Sequence, residues 1–331
     1  MKALVYTHPN EVTYRDEPNP VAGPGEVLLR IDAVGICGSD MHAYHGHDPR
    51  RVPPLILGHE LAGTIVAGPD AGKRVTANPL ITCGHCDWCV QGRNNLCANR
   101  TMVGMTRPGA FAEYMPIPVG SLIEIPQDMD PVQAALTEPA ATALHAVNLS
   151  MRAMHRPLPE HRTLIIGAGA IGLLCAILLR AYGCRNVWLA EVNPLRRRSA
   201  EKHAGCRTWN PLEGGGPGEN AVDYVIDAVG SRQTRKAAFD AIKPGGMIMH
   251  IGLQDWASEI DMRKLTLAEI TLLGTYTYST ADLRATVAAL YDGVFGNLAW
   301  VEQRDLAAGA SAFDDLDNGR TQAAKIVLRP H

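Results

Sequence analysis

A ten-residue segment, 163–172, constrains the fold of this chain more than any other stretch of the sequence. A short apolar run is followed there by the pattern G-x-G-x-x-G, formed by Gly167, Gly169 and Gly172. Residues 173–179 are apolar on nearly every side, which predicts a buried strand, a tight turn and a buried helix. In such a turn Gly167 permits the bend, Gly169 lets a pyrophosphate approach the backbone, and Gly172 lets the helix pack on the strand. The segment therefore predicts a dinucleotide-binding turn.

A carboxylate and an arginine downstream of this turn bear on which dinucleotide binds. A second strand ends at Glu191, 19 residues after Gly172. At this spacing an acid hydrogen-bonds the ribose 2′-hydroxyl of NAD and repels the 2′-phosphate of NADP. Arg196 lies in a solvated, arginine-rich helix start and is expected near the adenosine. The first residues of the preceding helix, Ala170 and Ile171, should offer unpaired N–H groups to the phosphates. The sequence therefore favours NAD, with NADP as the alternative.

Strand and helix patterns alternate from residue 163 onwards, which predicts an α/β, doubly wound parallel sheet of the Rossmann type with helices on both faces. Later strands of this sheet are expected over 221–226, 247–251 and 270–273. Ligands of such sheets bind at the carboxyl ends of the strands. Further cofactor contacts are therefore expected at Val229, Gly252 and Thr275, each of which follows one of these strands.

The first half of the chain is β-rich in pattern, with many turns and little helical periodicity. Strands are expected over 26–34, 61–66 and 74–77, helices over 131–155 and 281–291, and a final strand over 325–328 that returns to the first domain. At 331 residues the chain is long enough for two domains. We predict a β-rich catalytic domain of residues 1–150 and 280–331, interrupted by a dinucleotide-binding domain of residues 151–279.

Composition and charge exclude several classes of partner. Hydrophobic residues make up 46% of the chain and charged residues 20%, which is typical of a globular protein. The formal net charge of −3 provides no general attraction to nucleic acid or to an acidic membrane. No stretch has the pattern of a signal peptide, and no uninterrupted apolar run reaches the length of a membrane span. We therefore expect a cytoplasmic protein with a small-molecule substrate.

Four of the eight cysteines, Cys83, Cys86, Cys89 and Cys97, lie within 15 residues in the spacing C-x2-C-x2-C-x7-C. This spacing is typical of a metal site rather than of a disulfide framework. Four thiolates close a tetrahedral zinc site that has no open position, so a structural zinc holding one loop is predicted. His85 stands between two of these cysteines and is expected to be exposed.

A second set of potential ligands is spread along the chain. Cys37, His59 with Glu60, and Glu138 offer a thiolate, an imidazole and carboxylates. Such a set suits a zinc that keeps one position for water or substrate, and an open zinc lowers the pKa of a bound alcohol. Spacing alone makes this a weak indication, because a single cysteine or histidine is more often a packed core residue.

Several motifs together resemble the zinc-containing medium-chain dehydrogenase/reductase family of the alcohol dehydrogenase superfamily, in the style of its sorbitol (polyol) and threonine dehydrogenase branch. They occur in the order of the family and span most of the chain: Pro24–Val27, Gly35–Asp40, Leu57–Glu60, Cys83–Cys97, Gly109–Tyr114, Glu138–Pro139 and Gly167–Gly172. The resemblance implies a GroES-like β-rich catalytic domain joined to a Rossmann domain. The segment between Val66 and Val75 is shorter than the usual hairpin of the family, and Ala140 stands where leucine is common.

The resemblance also implies roles for individual residues. Cys37 and His59 would be ligands of a catalytic zinc, and Asp40 would orient His59. Glu60 would be a ligand or an exchangeable partner, and Glu138 matches a position whose carboxylate lies at or near the metal in the polyol branch. Which of the two carboxylates ligates zinc at rest stays open.

Ser39 and His42 match the positions that pass the alcohol proton outwards, which completes the set of predicted catalytic residues. The resemblance thus implies two zinc ions per chain, and zinc-dependent oxidation of a secondary alcohol, such as a polyol or sugar alcohol, by NAD. It also implies a homo-oligomer, either a dimer or a tetramer.

Alternatives within the enzymes are an L-threonine or amino-sugar type of dehydrogenase and a physiological ketone reductase, because the sequence does not set the direction. A nucleic-acid-binding zinc ribbon is disfavoured, since the cysteine segment is flanked only by Arg93 and Arg100. A nucleotide-binding regulator without catalysis is disfavoured by the intact set Cys37, His59 and Glu138.

Overall fold

The computed structural model describes residues 1–331. The strands, in chain order, are β1 (Lys2–His8), β2 (Glu11–Asp16), β3 (Glu26–Gly35), β4 (Leu55–Ile56), β5 (Glu60–Ile65), β6 (Arg74–Ala77), β7 (Leu80–Ile81), β8 (Thr101–Met102), β9 (Tyr114–Pro118), β10 (Leu122–Glu124), β11 (Thr163–Ile166), β12 (Val187–Ala190), β13 (Arg207–Trp209), β14 (Val222–Asp227), β15 (Ile242–His250), β16 (Thr271–Gly274), β17 (Val301–Asp305) and β18 (Lys325–Arg329). The helices are α1 (Gly38–Tyr44), α2 (Asp87–Val90), α3 (Pro131–Ala135), α4 (Thr137–Ala153), α5 (Ala170–Ala181), α6 (Pro194–Ala204), α7 (Arg232–Ala241), α8 (Met262–Leu267), α9 (Thr280–Tyr291) and α10 (Gly309–Asp317). Helix α1 thus follows β3, and α2 follows β7.

The β-rich part of the chain is organised around β3. Its main sheet has the order β10-β6-β5-β3-β18-β17, and β9 pairs with a further part of β3. Strand β18 lies antiparallel to β3, with Val327 opposite Gly35, so the end of the chain joins the sheet formed by the first part of the chain. Residues of β1, β3, β5 and β9 pack in one apolar core with Phe111 and Phe313, both fully buried. This core holds the loop after β3 and the start of β5, which carry Cys37, His59 and Glu60.

The second large sheet is six-stranded and entirely parallel, in the order β13-β12-β11-β14-β15-β16. Its order reverses at β11, the strand that precedes the glycine-rich turn, which is where a doubly wound sheet binds its ligand. The expected α/β fold with a Rossmann sheet is therefore confirmed. Strands β11, β12, β14 and β16 lie within a residue of their expected positions, and β15 begins five residues earlier than expected, at Ile242. The edge strand β13 was not among the expected strands.

Local chemistry sets the helix ends of this part. Helix α6 begins at Pro194, after Asn193, whose side chain accepts hydrogen bonds from two backbone N–H groups of the first turn. It ends before Gly205, which adopts a left-handed conformation with φ of 58°. Helix α5 is almost entirely buried, because leucine, isoleucine and alanine cover nearly all of its surface.

Helices α4 and α9 pack on each other through a charged contact. The carboxylate of Asp282 accepts hydrogen bonds from His145, Asn148 and Ser279, at 2.6, 2.9 and 2.6 Å. Burial acts to raise the pKa of Asp282, but these donors outweigh it and hold the pKa below its usual range. The contact fixes the start of α9, and therefore the end of the segment that leads into it from β16.

No helix of the structure combines the length and the apolar character that crossing a membrane requires.

Candidate functional site

The glycine-rich turn between β11 and α5 has the geometry that its sequence predicts. Gly167 adopts a φ of 97°, in the left-handed region. A Cβ atom at Gly172 would lie 1.9 Å from the carbonyl oxygen of Gly167, so the helix and the turn approach too closely for a side chain. A Cβ atom at Gly169 would meet no atom within 4 Å, so the outer side of the turn is open. Helix α5 begins there with Ala170 and Ile171, and this cradle fits a pyrophosphate.

Glu191 lies at the end of β12, beside the turn, and is 8% exposed. One carboxylate oxygen accepts the N–H of Ala168 at 2.8 Å, and the other accepts the N–H of Asn193 at 2.8 Å. The sequence did not reveal this use of the side chain, which ties the turn to the neighbouring strand. Arg196, in the first turn of α6, is half-buried, and its Nε atom has no hydrogen-bond partner.

The remaining predicted cofactor residues lie at the carboxyl ends of β14, β15 and β16. Val229 and Gly252 are in direct contact: a Cβ atom at Gly252 would lie 2.1 Å from the backbone carbon of Val229. Val229 also faces the turn, since its Cγ2 atom would lie 2.6 Å from a Cβ atom at Gly167. Thr275 is half-buried, and its hydroxyl has no partner. The structure thus places these three residues along the same sheet edge as the glycine-rich turn.

The four cysteines of the 83–97 segment converge, although they come from two separate turns. The Sγ atoms of Cys86 and Cys89 are 3.5 Å apart, those of Cys83 and Cys97 are 3.6 Å apart, and those of Cys83 and Cys89 are 4.0 Å apart. Sulfur atoms at a zinc–sulfur distance of about 2.3 Å in a tetrahedron stand about 3.8 Å apart. The cluster therefore fits a structural zinc. His85 is exposed, as expected, and its Nδ1 atom lies 2.7 Å from the carbonyl oxygen of Cys83.

The thiols of this cluster cannot all ionise together unless a cation is present. Backbone N–H groups of His85 and Cys86 lower the pKa of the Cys83 thiol to about 6. The backbone N–H of Cys89 acts to lower the pKa of Cys86, but burial and the neighbouring sulfurs outweigh it and raise that pKa to about 11. A bound divalent cation removes this repulsion, so metal binding releases protons from the cluster.

A second cluster lies where β3 ends and β5 begins. The Sγ atom of Cys37, a nitrogen of His59 and a carboxylate oxygen of Glu60 all lie within 4.8 Å of one another. Cys37 is half-buried, whereas His59 and Glu60 are 2% and 0% exposed. The Oε2 atom of Glu60 has no hydrogen-bond partner, although it is buried. A thiolate, an imidazole and an unpaired buried carboxylate oxygen fit a zinc that keeps an open position.

Asp40 lies beneath His59 and is fully buried. Its Oδ2 atom accepts the N–H of Cys37 at 3.0 Å, and its Oδ1 atom lies 3.4 Å from Nδ1 of His59, too poorly aligned for a hydrogen bond. Burial acts to lower the pKa of His59, but the charges of Asp40 and Cys37 raise it well above its usual value. Groups that attract a proton to the ring in this way also attract a metal cation.

Lys325, from β18, pairs with Glu60 at the bottom of this cluster. Its Nζ atom lies 2.6 Å from Oε1 of Glu60 and 2.8 Å from the carbonyl oxygen of Ile36. The lysine is 3% exposed. Burial acts to lower the pKa of Lys325, but the charges of Glu60 and Cys37 raise it. One oxygen of Glu60 is therefore neutralised by lysine, and the other is left free.

Glu138 lies near the cluster, in the first turn of α4, but it is not one of the three converging ligands. Its Oε1 atom accepts a hydrogen bond from the hydroxyl of Tyr278 at 2.9 Å. Burial raises the pKa of Glu138 to about 7, and the Glu60 carboxylate adds to the rise against the opposing charge of His59. Burial and the Glu138 carboxylate raise the pKa of Tyr278 well above its usual value, so the phenol stays protonated as a donor.

Ser39 and His42 lie on α1, next to the second cluster. The Oγ atom of Ser39 is 3.5 Å from Nε2 of His59 and accepts a hydrogen bond from Arg51 at 3.2 Å. Arg51 is 3% exposed and also donates to the carboxylate of Asp48 at 2.6 Å. Burial, with the charges of neighbouring histidines and Arg51, lowers the pKa of His42, so a neutral imidazole is available to accept a proton.

The structure thus adds three residues that the sequence reasoning missed: Lys325, Tyr278 and Arg51. Each is a charged or phenolic side chain in an otherwise apolar or loop segment. Lys325 and Tyr278 reach the site from distant positions in the chain, whereas Arg51 lies only 12 residues from Ser39. A lysine at the start of the apolar strand 325–329 was the only local signal, because lysine is seldom fully buried unless it is paired.

Comparison with known proteins agrees with this geometry. Residues 23–127 match the family described as the alcohol dehydrogenase GroES-like domain, and residues 170–292 match the family described as zinc-binding dehydrogenase. The first range contains both clusters of potential metal ligands, and the second begins at the helix after the glycine-rich turn.

Similar individual proteins cover almost the whole chain. The L-galactonate-5-dehydrogenase of Escherichia coli (strain K12) is 30% identical over 311 residues, which cover 88% of each chain. An L-threonine 3-dehydrogenase of Chelativorans sp. (strain BNC1) is 32% identical over 315 residues, again covering 88% of each chain. The crystal structure of a zinc-binding dehydrogenase from Sinorhizobium meliloti 1021, bound to NADP, is 30% identical, with a TM-score of 0.86 over 99% of both chains.

Proposed function

Because this chain belongs to the zinc-containing medium-chain dehydrogenase/reductase family of the alcohol dehydrogenase superfamily, we propose that it oxidises a secondary alcohol of a polyol or sugar-alcohol-like substrate to a ketone. Membership of this family makes it a zinc- and nicotinamide-dependent oxidoreductase. The observation that carries the proposal is the cluster of Cys37, His59 and Glu60, whose ligand atoms converge within 4.8 Å beside Ser39. Such a site offers three ligands, one open position and a hydroxyl next to it.

The chain itself supplies a path for the proton of the alcohol. Zinc, when bound, lowers the pKa of a coordinated alcohol, and the nicotinamide, when bound, accepts the hydride. The Oγ atom of Ser39 accepts a hydrogen bond from the Arg51 guanidinium, so the hydroxyl proton of Ser39 points away from Arg51. The same oxygen can accept the proton of the alcohol. His42, half-buried and with a lowered pKa, is the next acceptor outwards.

We propose that Cys37, His59 and Glu60 hold the catalytic zinc, with Glu138 as a carboxylate beside it that exchanges with Glu60. Lys325 occupies one oxygen of Glu60, and Tyr278 occupies one oxygen of Glu138, so each carboxylate keeps a second oxygen for the metal. The four cysteines at 83, 86, 89 and 97 hold the structural zinc.

NAD is the proposed cofactor, bound at Gly167, Gly169 and Gly172. The buried carboxylate of Glu191 supports this choice, because it would repel a 2′-phosphate beside the turn. The bound NADP of the Sinorhizobium meliloti protein makes a direct comparison of the two cofactors necessary. Glu191→Ser should narrow the preference for NAD over NADP in kcat/KM, and an unchanged ratio would contradict the assignment.

The substrate class has a second candidate. The relatives named above are named for L-galactonate and L-threonine, and both of those compounds carry a carboxylate in addition to a secondary alcohol. An L-threonine or amino-sugar type of substrate is therefore the alternative to a polyol, and ketone reduction is the alternative direction. Initial rates with neutral polyols, sugar acids and L-threonine, measured at one concentration, distinguish these classes.

The zinc content of the wild type and of Cys37→Ser, measured with the rate of NAD reduction, tests the proposal as a whole. Two zinc ions per chain should fall to one in Cys37→Ser, with turnover lost and the fold retained. The control is Cys206→Ser, a buried cysteine between α6 and β13, which should keep two zinc ions and full turnover. One zinc in both the wild type and Cys37→Ser, with no reduction of NAD or NADP, would refute the proposal.

We also propose a dimer or a tetramer of a two-domain chain, with residues 1–150 and 280–331 as the catalytic domain and residues 151–279 as the dinucleotide domain. Strand β16 is an unpaired edge of the parallel sheet. Leu253, Trp256 and Leu267, in the loop and helix between β15 and β16, are 73%, 96% and 71% exposed. Exposed apolar side chains next to a free edge are typical of a subunit interface. Light scattering of the wild type and of Trp256→Glu tests this, since a monomeric wild type would contradict it.

A cytoplasmic location is proposed from the cysteines. All eight are free thiols in the structure, and four of them form the proposed structural zinc site. A reducing compartment keeps such thiols available to the metal. Fractionation of the natural host tests the location.

A further inference from the structure

The four-cysteine segment contacts the stretch of chain that carries Tyr278, the hydrogen-bond donor to Glu138. Cys97 is preceded by a single helical turn, Asn94–Leu96. Asn94 makes two hydrogen bonds with Thr280: its Nδ2 atom donates to the threonine hydroxyl at 2.8 Å, and its Oδ1 atom accepts the threonine N–H at 3.2 Å. Asn95 is 5% exposed and donates to the carbonyl oxygen of Tyr276 at 2.8 Å.

A third contact acts on the same stretch. The guanidinium carbon of Arg100 lies 4.9 Å from the centre of the Tyr276 ring, in a cation–π arrangement. The four-cysteine segment, together with Arg100 just after it, therefore holds residues 276–280 at both ends, by two buried or half-buried amides and one stacked cation. We call this stretch, residues 276–280, the wall segment.

The wall segment has a conformation that needs such support. Thr277, a β-branched residue, adopts a φ of 48°, in the left-handed region. Its buried hydroxyl has no hydrogen-bond partner. Backbone strain of this kind persists only where the surrounding structure over-determines it, and such strain is concentrated at active sites. On the side of the four-cysteine segment, the contacts from Asn94, Asn95 and Arg100 hold this backbone conformation in place.

Tyr278 connects the wall segment to the catalytic cluster. It is fully buried and donates to Oε1 of Glu138 at 2.9 Å. A second-sphere donor of this kind decides which carboxylate oxygen is turned towards a metal and how far the carboxylate can move. A displacement of the wall segment would therefore also move Glu138, because only the side chain of Tyr278 lies between them.

We propose that Asn94 and Asn95 are positioning residues for the catalytic carboxylate Glu138, so that the four-cysteine segment sets the geometry of the catalytic metal site through the wall segment and Tyr278. The inference rests on the proposed function, because it takes Glu138 to act beside a catalytic zinc. It gives the structural zinc a role in the reaction: ligation of Cys97 fixes the helical turn that carries both asparagines.

Cobalt exchanged for the catalytic zinc provides a readout besides activity, because the visible absorption of cobalt reports the ligand arrangement. The double variant Asn94→Ala/Asn95→Ala keeps all four cysteines and should keep two metals per chain. We expect its cobalt spectrum to shift in the same direction as that of Tyr278→Phe. We also expect release of the catalytic cobalt to a chelator to accelerate about 10- to 100-fold, with a comparable loss of kcat/KM.

Two controls separate positioning from general loosening of the segment. Arg93→Ala removes a side chain that stacks on Trp88 within the segment, and it should keep the wild-type spectrum. Asn94→Asp keeps an acceptor for both the N–H and the hydroxyl of Thr280, and it should restore wild-type behaviour relative to Asn94→Ala. If the double variant fails to fold, Thr280→Val removes the hydroxyl that accepts a hydrogen bond from Asn94 and tests that bond from the other side.

The inference is overturned if the double variant, with two metals bound, keeps the cobalt spectrum and the release rate of the wild type. It is also overturned if Tyr278→Phe leaves the cobalt spectrum and the release rate unchanged, since the hydrogen bond from Tyr278 to Glu138 would then have no effect on the metal site. A wild-type protein that binds only one metal and does not reduce NAD or NADP refutes the proposed function instead, and the two failures are thereby distinguished.

Discussion

Replacing Lys325 with methionine should destabilise the protein by about 3–5 kcal/mol, because it leaves a buried carboxylate without its cation. Lys325 and Glu60 are 3% and 0% exposed, and their charged atoms are 2.6 Å apart. Methionine has a similar length and an apolar end, so it removes the charge and little volume.

The magnitude follows from the geometry of the pair. Two unit charges at 2.6 Å attract each other by about 6 kcal/mol at an effective dielectric constant of about 20. The desolvation of the lysine, which the substitution removes, offsets part of this attraction. Loss of the hydrogen bond to the carbonyl oxygen of Ile36 adds about 1 kcal/mol. The remainder is the cost of leaving Glu60 buried and unpaired.

Urea unfolding at pH 7, with zinc and after treatment with a chelator, measures this cost. The loss should be larger in the chelator-treated protein, because a bound zinc ion partly replaces the ammonium as the counter-charge of Glu60. Adding Glu60→Gln to Lys325→Met should recover part of the stability, since the unpaired charge is then gone.

The matched control is Lys73→Met. Its ammonium lies 2.9 Å from Asp70, but both side chains are about half exposed. Little or no loss of stability is expected there, because exposed ion pairs are screened by water. If Lys325→Met in the chelator-treated protein also falls within about 1 kcal/mol of the wild type, the reasoning from burial is refuted.

Three further predictions concern other parts of the molecule. The pKa of Asp282 is held low in the folded protein, so the stability that this carboxylate contributes is present above its unfolded pKa of about 3.9 and is lost as the pH falls. Asp282→Asn should therefore destabilise the protein by about 2 kcal/mol at pH 7. Thermal melts should show this difference in stability shrinking below about pH 4. Gly172→Ala would place a Cβ atom 1.9 Å from the oxygen of Gly167, so calorimetry should show that NAD binding is lost, and unchanged affinity would contradict the geometry. Arg51→Lys removes the guanidinium group that donates to Ser39. Steady-state kinetics should show kcat falling about tenfold with little change in KM, and an equal change in kcat and KM would contradict this role.

Much of the fold could be predicted from the sequence because its signals are local. The apolar run before Gly167 and the apolar helix after Gly172 lie next to each other in the chain, and they specify a strand, a turn and a helix without reference to anything distant. When such units alternate along the chain, their right-handed crossover connections produce a doubly wound parallel sheet. The convergence of four cysteines within 15 residues is local for the same reason.

Glu191 shows where local reasoning is incomplete. Its spacing from Gly172 predicts a contact with a ribose hydroxyl, whereas in the structure its two oxygens accept the N–H groups of Ala168 and Asn193. A carboxylate oxygen has more than one lone pair, so the backbone contacts and a ribose contact are compatible. The sequence pattern contained no information about the backbone partners, because these depend on the path of the turn.

Local sequence patterns specify the glycine-rich turn, the parallel sheet, the four-cysteine segment and the identity of the potential ligands. The support of the Cys37, His59 and Glu60 cluster depends instead on tertiary contacts, since Lys325 reaches Glu60 across 265 positions of the chain and Tyr278 reaches Glu138 across 140. Periodicity and spacing describe neighbours along a helix, a strand or a loop. Contacts between residues so far apart depend instead on how the completed sheets pack, and that packing brings a lysine, a phenol and two carboxylates to one buried site.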